Sequence, residues 1–255
     1  MLDAFHSTAL HQAAANDPAS AKFLIERGAE VNVYDTAKRS PLHHAKFHET
    51  IQLLVEKGAD INAMDKQQST VLHWTADRAG THESVKYLVE HGAKTDLIDQ
   101  FGCTPLHLAA YGGEPESVNY LAEHGGDLEQ QDQHRCVILL ANGYLLIISR
   151  CTPLLLAAKN PSGFDAMKIL VKKGAKLNLL DENQSSPLHW TICHERLVPV
   201  DIFPHHLLIF TQEPVKFIVE NGADVNVCDQ SGVTPLHVAS TRSNLRKSMI
   251  FNGQF

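Results

Sequence analysis

The chain has 255 residues, 44% of them hydrophobic and 20% charged, with a formal net charge of −7. That composition suits a soluble folded protein, and the acidic balance argues against a nucleic-acid surface, which needs clustered Lys and Arg against phosphate. Five scattered cysteines (Cys103, Cys136, Cys151, Cys193 and Cys228) form no Cys-x-x-Cys pair, so neither a disulfide framework nor a zinc site is indicated. A reducing compartment is expected, the cytoplasm with the nucleus as the other address. Met1 to His6 carries no basic segment leading into an apolar run, and no apolar stretch approaches the roughly 18 residues of a membrane span.

One tetrapeptide organises the chain. It occurs as Thr8-Ala9-Leu10-His11, Ser40-Pro41-Leu42-His43, Thr70-Val71-Leu72-His73, Thr104-Pro105-Leu106-His107, Thr152-Pro153-Leu154-Leu155, Ser186-Pro187-Leu188-His189 and Thr234-Pro235-Leu236-His237. The starts lie 32, 30, 34, 48, 34 and 48 residues apart, a repeat of about 33 residues with two insertions of 15. Within a repeat, Thr104 is placed to cap a helix whose first turn takes Pro105, which has no amide hydrogen to leave unsatisfied. Leu106, Ala109 and Ala110 follow at helical spacing on one apolar stripe. A turn at Gly112 to Pro115 breaks the chain, and a second helix carries Val118, Leu121 and Ala122 to a glycine stop at Gly125 and Gly126. The second helix recurs over 21–26, 51–56, 85–90, 167–172 and 215–220, each before a glycine. A polar stretch then opens at Asp3, Asp35, Asp65, Asp99, Asp132, Asp181 and Asp229, giving about seven units in a single domain, 1–255. The second unit is short: Ser40 to Gly58 spans 18 residues where Thr104 to Gly125 spans 21, which predicts a tightened turn around Lys46, Phe47 and His48.

The tetrapeptide, the period and the glycine stops followed by phrases such as Asp60-Ile61-Asn62 and Asp224-Val225-Asn226 resemble the ankyrin-repeat family over nearly the whole chain. The resemblance implies an all-α repeat solenoid of helix pairs with β-turn fingers, in units starting near 3, 35, 65, 99, 132, 181 and 229. It implies a non-catalytic, monomeric scaffold or adaptor, with no cofactor and no metal, gripping a protein partner on a concave surface. Finger tips and the exposed side of the first helices form that surface. Carried onto this sequence, the finger candidates are Lys66, Gln67, Gln100, Phe101, His134 and Asn183, and the first-helix candidates are Asp77, Arg78, Tyr111 and Lys159. Aromatic residues and arginine near an interface centre are the usual anchors, which favours Phe101, Tyr111 and Arg78; the plain alternative is that Phe101 only covers its neighbouring finger. A second function from another class is the substrate-recruiting part of a larger enzyme, ligase adaptor or channel. The lack of a separate cap before Asp3 and the short, degenerate end after Thr234 raise the expectation that the chain is part of something longer. The resemblance also places Asn32, Asn62 and Asn226 where some ankyrin repeats are hydroxylated.

Two segments break the period, near 136–150 and 197–211. The first is bracketed by Arg135-Cys136 and Arg150-Cys151, and its two apolar runs around Asn142-Gly143 are a strong hairpin signal. One account is a hydrophobic finger that binds a partner; the other is that both segments are translated introns, with no function. Of 16 histidines, six hold the fourth place of the tetrapeptide, where the resemblance implies hydrogen bonds to neighbouring turns; Leu155 predicts one such bond missing. His43, His44 and His48, and the pair His205-His206, resemble ligand clusters only loosely, with no carboxylate or cysteine at a supporting spacing. Cys193-His194-Glu195 offers a nucleophile and a base, but adjacent residues on a helix point apart. No phosphate-cradling loop and no Gly-x-Ser-x-Gly elbow occurs. Trp74 and Trp190, after the tetrapeptide histidine, are expected as core or groove wall.

Overall fold

The computed structural model describes residues 6–132, 136–139, 145–148, 150–194 and 213–240. The chain forms two compact units, Met1–Asp127 and Leu128–Phe255. The first contains four helix pairs: α1 (Ala9–Asn16) with α2 (Pro18–Glu26), α3 (Pro41–His44) with α4 (His48–Glu56), α5 (Val71–Ala76) with α6 (His82–Glu90), and α7 (Pro105–Gly112) with α8 (Pro115–Glu123). The second contains β1 (Cys136–Leu139), β2 (Leu145–Ile148), α9 (Pro153–Lys159), α10 (Phe164–Lys172), α11 (Pro187–His194) and α12 (Glu213–Glu220). A thirteenth helix, α13, covers residues 235–240.

The tetrapeptide starts the first helices other than α9 as a capping box in which histidine takes the place of the usual glutamate. At α7 the Thr104 amide donates to His107 Nδ1 over 3.2 Å, and the Thr104 hydroxyl lies 2.8 Å from the same nitrogen. A ring nitrogen that accepts an amide carries no proton, so the network assigns the hydrogen to Nε2. That nitrogen donates into the following repeat: His11 to the Arg39 carbonyl at 3.0 Å, His43 to Ala63 at 3.1 Å, His73 to Cys103 at 3.1 Å and His189 to Val233 at 3.0 Å. Each neutral imidazole thus caps its own helix and ties it to the next repeat. In α9, Leu155 is fully buried at the histidine's place and its amide donates to Thr152 Oγ1 over 3.3 Å.

The core is a row of these tetrapeptide leucines: Leu10, Leu42, Leu72 and Leu106 in the first unit, Leu154 and Leu188 in the second, all at most 1% exposed. Burying each contributes on the order of 2–3 kcal/mol. Ile51, Leu54, Val85, Leu88, Val118 and Leu121 cover them from the second helices. Alanines allow the close approach; Ala76, Ala109, Ala110 and Ala157 are wholly buried. Leu236 of α13 is 74% exposed, with no second helix packed on it among the described residues. Gly125 ends α8 with φ +97°, and at Gly126 a Cβ would sit 2.8 Å from the Leu121 carbonyl oxygen and 3.0 Å from Leu106 Cδ2, so the chain turns where only glycine fits.

The short second repeat loses its missing residues from the first helix: α3 is four residues long. Phe47 and His48 therefore do not extend a first helix; Phe47 caps α4 and His48 opens it, its Nδ1 lying 3.0 Å from Ser84 Oγ. Arg78 covers the truncated turn, its guanidinium donating to the Ala45 carbonyl over 3.0 Å. The insertion between Asp132 and Cys151 forms the antiparallel hairpin that its two apolar runs predict, β1 pairing β2 with Val137 opposite Ile147 and Leu139 opposite Leu145. The Asn142-Gly143 turn and residues 197–211 lie outside the described residues.

The histidines make stability acid-sensitive. Burial pushes the His73 imidazole down to about 4, against the pull of the Cys103 carbonyl, and pushes His43 down as well. A histidine whose pKa falls on folding contributes fully above its unfolded value near 6.5 and loses that contribution as pH drops toward the folded value. For His73 this is up to about 1.4 kcal/mol per pH unit, roughly 3 kcal/mol between pH 6.5 and pH 4. We expect the stability gap between the native chain and His73→Gln, measured by urea denaturation at each pH, to narrow over that window; a constant gap contradicts a neutral His73.

Candidate partner-binding surface

Each finger is built around its opening aspartate. Oδ1 accepts the amides two and four residues on: Ala37 and Arg39 for Asp35, Gln67 and Ser69 for Asp65, Phe101 and Cys103 for Asp99, Asn183 and Ser185 for Asp181, and Ser231 and Val233 for Asp229, all within 2.8–3.0 Å. The residue between takes positive φ, and in this chain that place falls on Lys38, Gln68 and Gln184 as well as on Gly102 and Gly232. The interrupted finger closes across its insertion: Asp132 Oδ1 accepts the Cys151 amide at 2.9 Å, the Asp132 N–H donates to the Cys151 carbonyl at 3.0 Å, and Arg150 takes the left-handed place with φ 56°. Neighbouring fingers are laced by backbone bonds, Lys66 N–H to Ala37 O at 2.9 Å, Gln100 to Gln67 at 2.8 Å and Gln230 to Asn183 at 2.8 Å.

The aspartate's outer oxygen depends on the residue nine positions on. Asp35 Oδ2 meets His44 Nε2 at 2.9 Å, Asp65 Oδ2 accepts the Trp74 indole N–H at 3.2 Å, and Asp181 Oδ2 accepts that of Trp190 at 2.9 Å. Both tryptophans are thus wall residues with a hydrogen-bonding task, and each carries a cation over its face, Arg39 at 4.7 Å and Lys159 at 4.4 Å. In the fourth and fifth repeats the corresponding places hold Leu108 and Leu156, which offer no donor. Burial raises the Asp35 carboxyl, but the Arg39 amide, His44 and the Ala37 amide outweigh it and hold the group below the usual range. Burial instead raises Asp99 and pushes Asp132 up to about 6, and Asp132 Oδ2 is buried without a hydrogen-bond partner among the described residues.

The sequence-derived candidates divide accordingly. Lys66, Gln67 and Gln100 are exposed on adjacent fingers of the first unit, with Phe101 half-buried next to Gln100 and Tyr111 half-buried near the end of α7. Asp77 is exposed at the end of α5, whereas the half-buried Arg78 is engaged with Ala45. In the second unit Asn183 is an exposed finger tip. Lys159 is a correction: it is 3% exposed, its Nζ lies 3.0 Å from Asp181 Oδ2 and donates to Cys151 Sγ at 3.1 Å, so it holds two repeats together and does not face a partner. The sequence pattern put its backbone on the first helix correctly but gave no sign that the side chain turns into the next repeat. His134, Glu195, His205 and His206 lie outside the described residues. The loose cluster of His43, His44 and His48 does not converge, because its rings go to Ala63, Asp35 and Ser84 respectively. Among the described residues no group of three or more His, Cys, Asp or Glu is placed to hold a metal.

One set of surface residues escaped the sequence reading. Tyr34, Met64 and Ile98 each precede a finger aspartate and are 47%, 41% and 37% exposed. Their common register was visible in the sequence, but an apolar residue there reads as core until the strand alternation fixes which side faces out. Asn32 and Asn62 are occupied structurally: the Asn32 amide group bonds the Gly58 carbonyl and the Asp60 N–H, both at 2.9 Å, and Asn62 bonds Gly92 and Lys94 at 3.0 and 2.9 Å. Asn226 is exposed, its N–H donating to Asp224 Oδ1.

Helix pairs of constant design, tied repeat to repeat through histidine and finger bonds, define a helical repeat solenoid. The profile described as ankyrin repeats in three copies matches residues 1–65 and 46–132, and a second, ankyrin repeats in many copies, matches 211–250. The chain belongs to the ankyrin-repeat family, whose members generally serve protein–protein interaction. Among solved structures it is similar to the ankyrin repeat domain of human ASB11, at 22% identity over 96% of this chain and 97% of that one with a TM-score of 0.72. It is also similar to the ankyrin repeat domain of Bcl-3, described as a unique member of the IkappaB protein family, at 24% identity over 92% and 95% of the two chains with a TM-score of 0.65. No curated protein sequence matches. Among the described residues no helix is long and apolar enough to cross a membrane.

Proposed function

We propose that this chain is an intracellular, non-catalytic protein-interaction scaffold that grips a protein partner through its fingers and the adjoining side of its first helices. The observation that carries this reading is the division of labour within each finger. The inner aspartate, the histidine and the tryptophan spend their hydrogen bonds on the repeat and its neighbour, leaving Lys66, Gln67 and Gln100 as exposed tips on fingers laced to one another. The titratable groups inside the repeats stabilise the stack, and a surface of exposed side chains on a rigid support is what recognition needs. Phe101 on the finger and Tyr111 on α7 supply the aromatic area of the surface.

The double variant Phe101→Ala with Tyr111→Ala is expected to weaken a partner recovered by in-cell cross-linking at Gln100 by about tenfold or more, leaving the helical circular dichroism and the melting point nearly unchanged. Titration calorimetry with the purified partner measures the first and thermal denaturation the second. Equal loss of fold and binding would assign both residues to stability and remove them from the interface.

A further inference from the structure

We propose that the finger edge of the first unit binds an extended, acidic peptide segment of its protein partner, with apolar side chains on Tyr34, Met64 and Ile98 and carboxylates at Lys38 and Lys66. This rests on the interaction reading above and adds the partner's chemistry. The three apolar residues occupy one register, the position before the finger aspartate, in three consecutive repeats, and all three are exposed. Side chains alternate across this stretch: Asn32, Tyr34, Thr36 and Lys38 are exposed while Val33, Asp35, Ala37 and Arg39 are turned partly inward. The same alternation puts Met64 with Lys66 and Ile98 with Gln100 on the outer side. The backbone bonds from Lys66 to Ala37 and from Gln100 to Gln67 make the three fingers contiguous, so the apolar residues form a row one side chain wide. An extended chain presents such a row with every second residue; an amphipathic helix needs a wider apolar stripe.

Charge selects the sign of the occupant. Lys38 and Lys66 are exposed, and neither is in an ion pair with another described residue. The aspartates that open these fingers, Asp35, Asp65 and Asp99, point inward onto their own amides, and Asp96, exposed two residues before Ile98, is the one acid left on the outer side of residues 32–39, 62–69 and 96–103. The second helices of the same unit, α2, α4, α6 and α8, carry seven glutamates against two lysines. An acidic segment is therefore repelled by the outer helices and attracted to the fingers, in a chain whose overall charge is −7.

The test uses the full chain and three fluorescein-labelled nine-residue peptides, alternating leucine with glutamate, leucine with lysine, and serine with glutamate, followed by anisotropy at two salt concentrations. The leucine–glutamate peptide is expected to bind at least about tenfold more tightly than the other two, and less tightly at higher salt. Lys38→Glu with Lys66→Glu, and separately Met64→Ser with Ile98→Ser, should each weaken it by about tenfold, while Glu56→Lys with Glu83→Lys on the outer helices should not. Circular dichroism checks that each variant is folded. Equal or tighter binding of the leucine–lysine peptide, or leucine–glutamate binding indifferent to the finger variants, overturns the proposal. If the acidic peptide fails while Phe101→Ala with Tyr111→Ala still weakens capture of the partner, this inference falls and the scaffold reading stands; if neither set of variants affects any binding, both fall.

Discussion

Leu106→Asp is expected to abolish the native state of the first unit. Leu106 is fully buried between α7 and its neighbours, and its Cδ2 lies where even a methyl group added at Gly126 would be only 3.0 Å away. A carboxylate there can reach neither water nor a cation, and protonating it still leaves a polar group without a partner. Truncation to alanine at such a site costs about 2–5 kcal/mol from lost transfer energy and the cavity alone, and the charge adds to that, so a loss of more than ~5 kcal/mol is expected. Repeats stack only on their neighbours, so the damage spreads from α7 into the adjoining pairs. Urea denaturation followed by circular dichroism at 222 nm measures it, with Lys66→Ala as an exposed control expected to change stability by less than about 0.5 kcal/mol. A cooperative transition for Leu106→Asp at a urea midpoint close to that of the native chain would refute the packing described for this leucine.

The second large effect is expected at Asp181. Its carboxylate gathers four donors: the Asn183 and Ser185 amides on Oδ1, and the Trp190 indole and the Lys159 ammonium on Oδ2. Asp181→Ala opens a finger and strands Lys159, 3% exposed, without its counter-charge. Removing one partner of a buried ion pair costs about 3–5 kcal/mol, because the remaining charge is left uncompensated. Lys159→Met is expected to cost less, since Asp181 keeps two amides and an indole, and the flexible methionine takes the place of the lysine's buried stem. The double variant Lys159→Met with Asp181→Asn should recover part of the loss of Asp181→Ala. Chemical denaturation of the three variants decides it: if Lys159→Met is as damaging as Asp181→Ala, the ammonium and not the carboxylate is the centre of the cluster. Cys151 beside it is an inert member, its thiol pushed up to about 12 by burial.

Much of this architecture was legible in the chain because it is encoded locally. Thr104, Pro105 and His107 specify a helix start through groups at most three residues apart, and Gly125 specifies a stop through its own φ. The Asn142-Gly143 pair flanked by apolar runs announced β1 and β2 in the same way. The candidate surface was only partly legible. Lys66, Gln67 and Gln100 follow from register along the fingers, whereas the inward turn of Lys159 and the bond of Arg78 to Ala45 were not legible, because Asp181 and Ala45 belong to neighbouring repeats. A long cationic side chain at a nominally outward place reaches another repeat or water with equal ease as far as the pattern shows.

The sequence by itself determined the period, the capping boxes, the glycine stops and the leucine row, since each rests on short-range chemistry repeated at nearly constant spacing. Which polar groups are spent inside the stack and which remain outside follows from the packing of one repeat on the next. That choice turns on contacts between residues some twenty to thirty positions apart, such as His73 with Cys103 and Asn32 with Gly58, and on single donors such as Trp74 or Trp190 where another repeat has Leu108 or Leu156. Asp35, met by His44 nine residues on, is held low, whereas burial raises Asp99 and Asp132, whose corresponding places are Leu108 and Leu156.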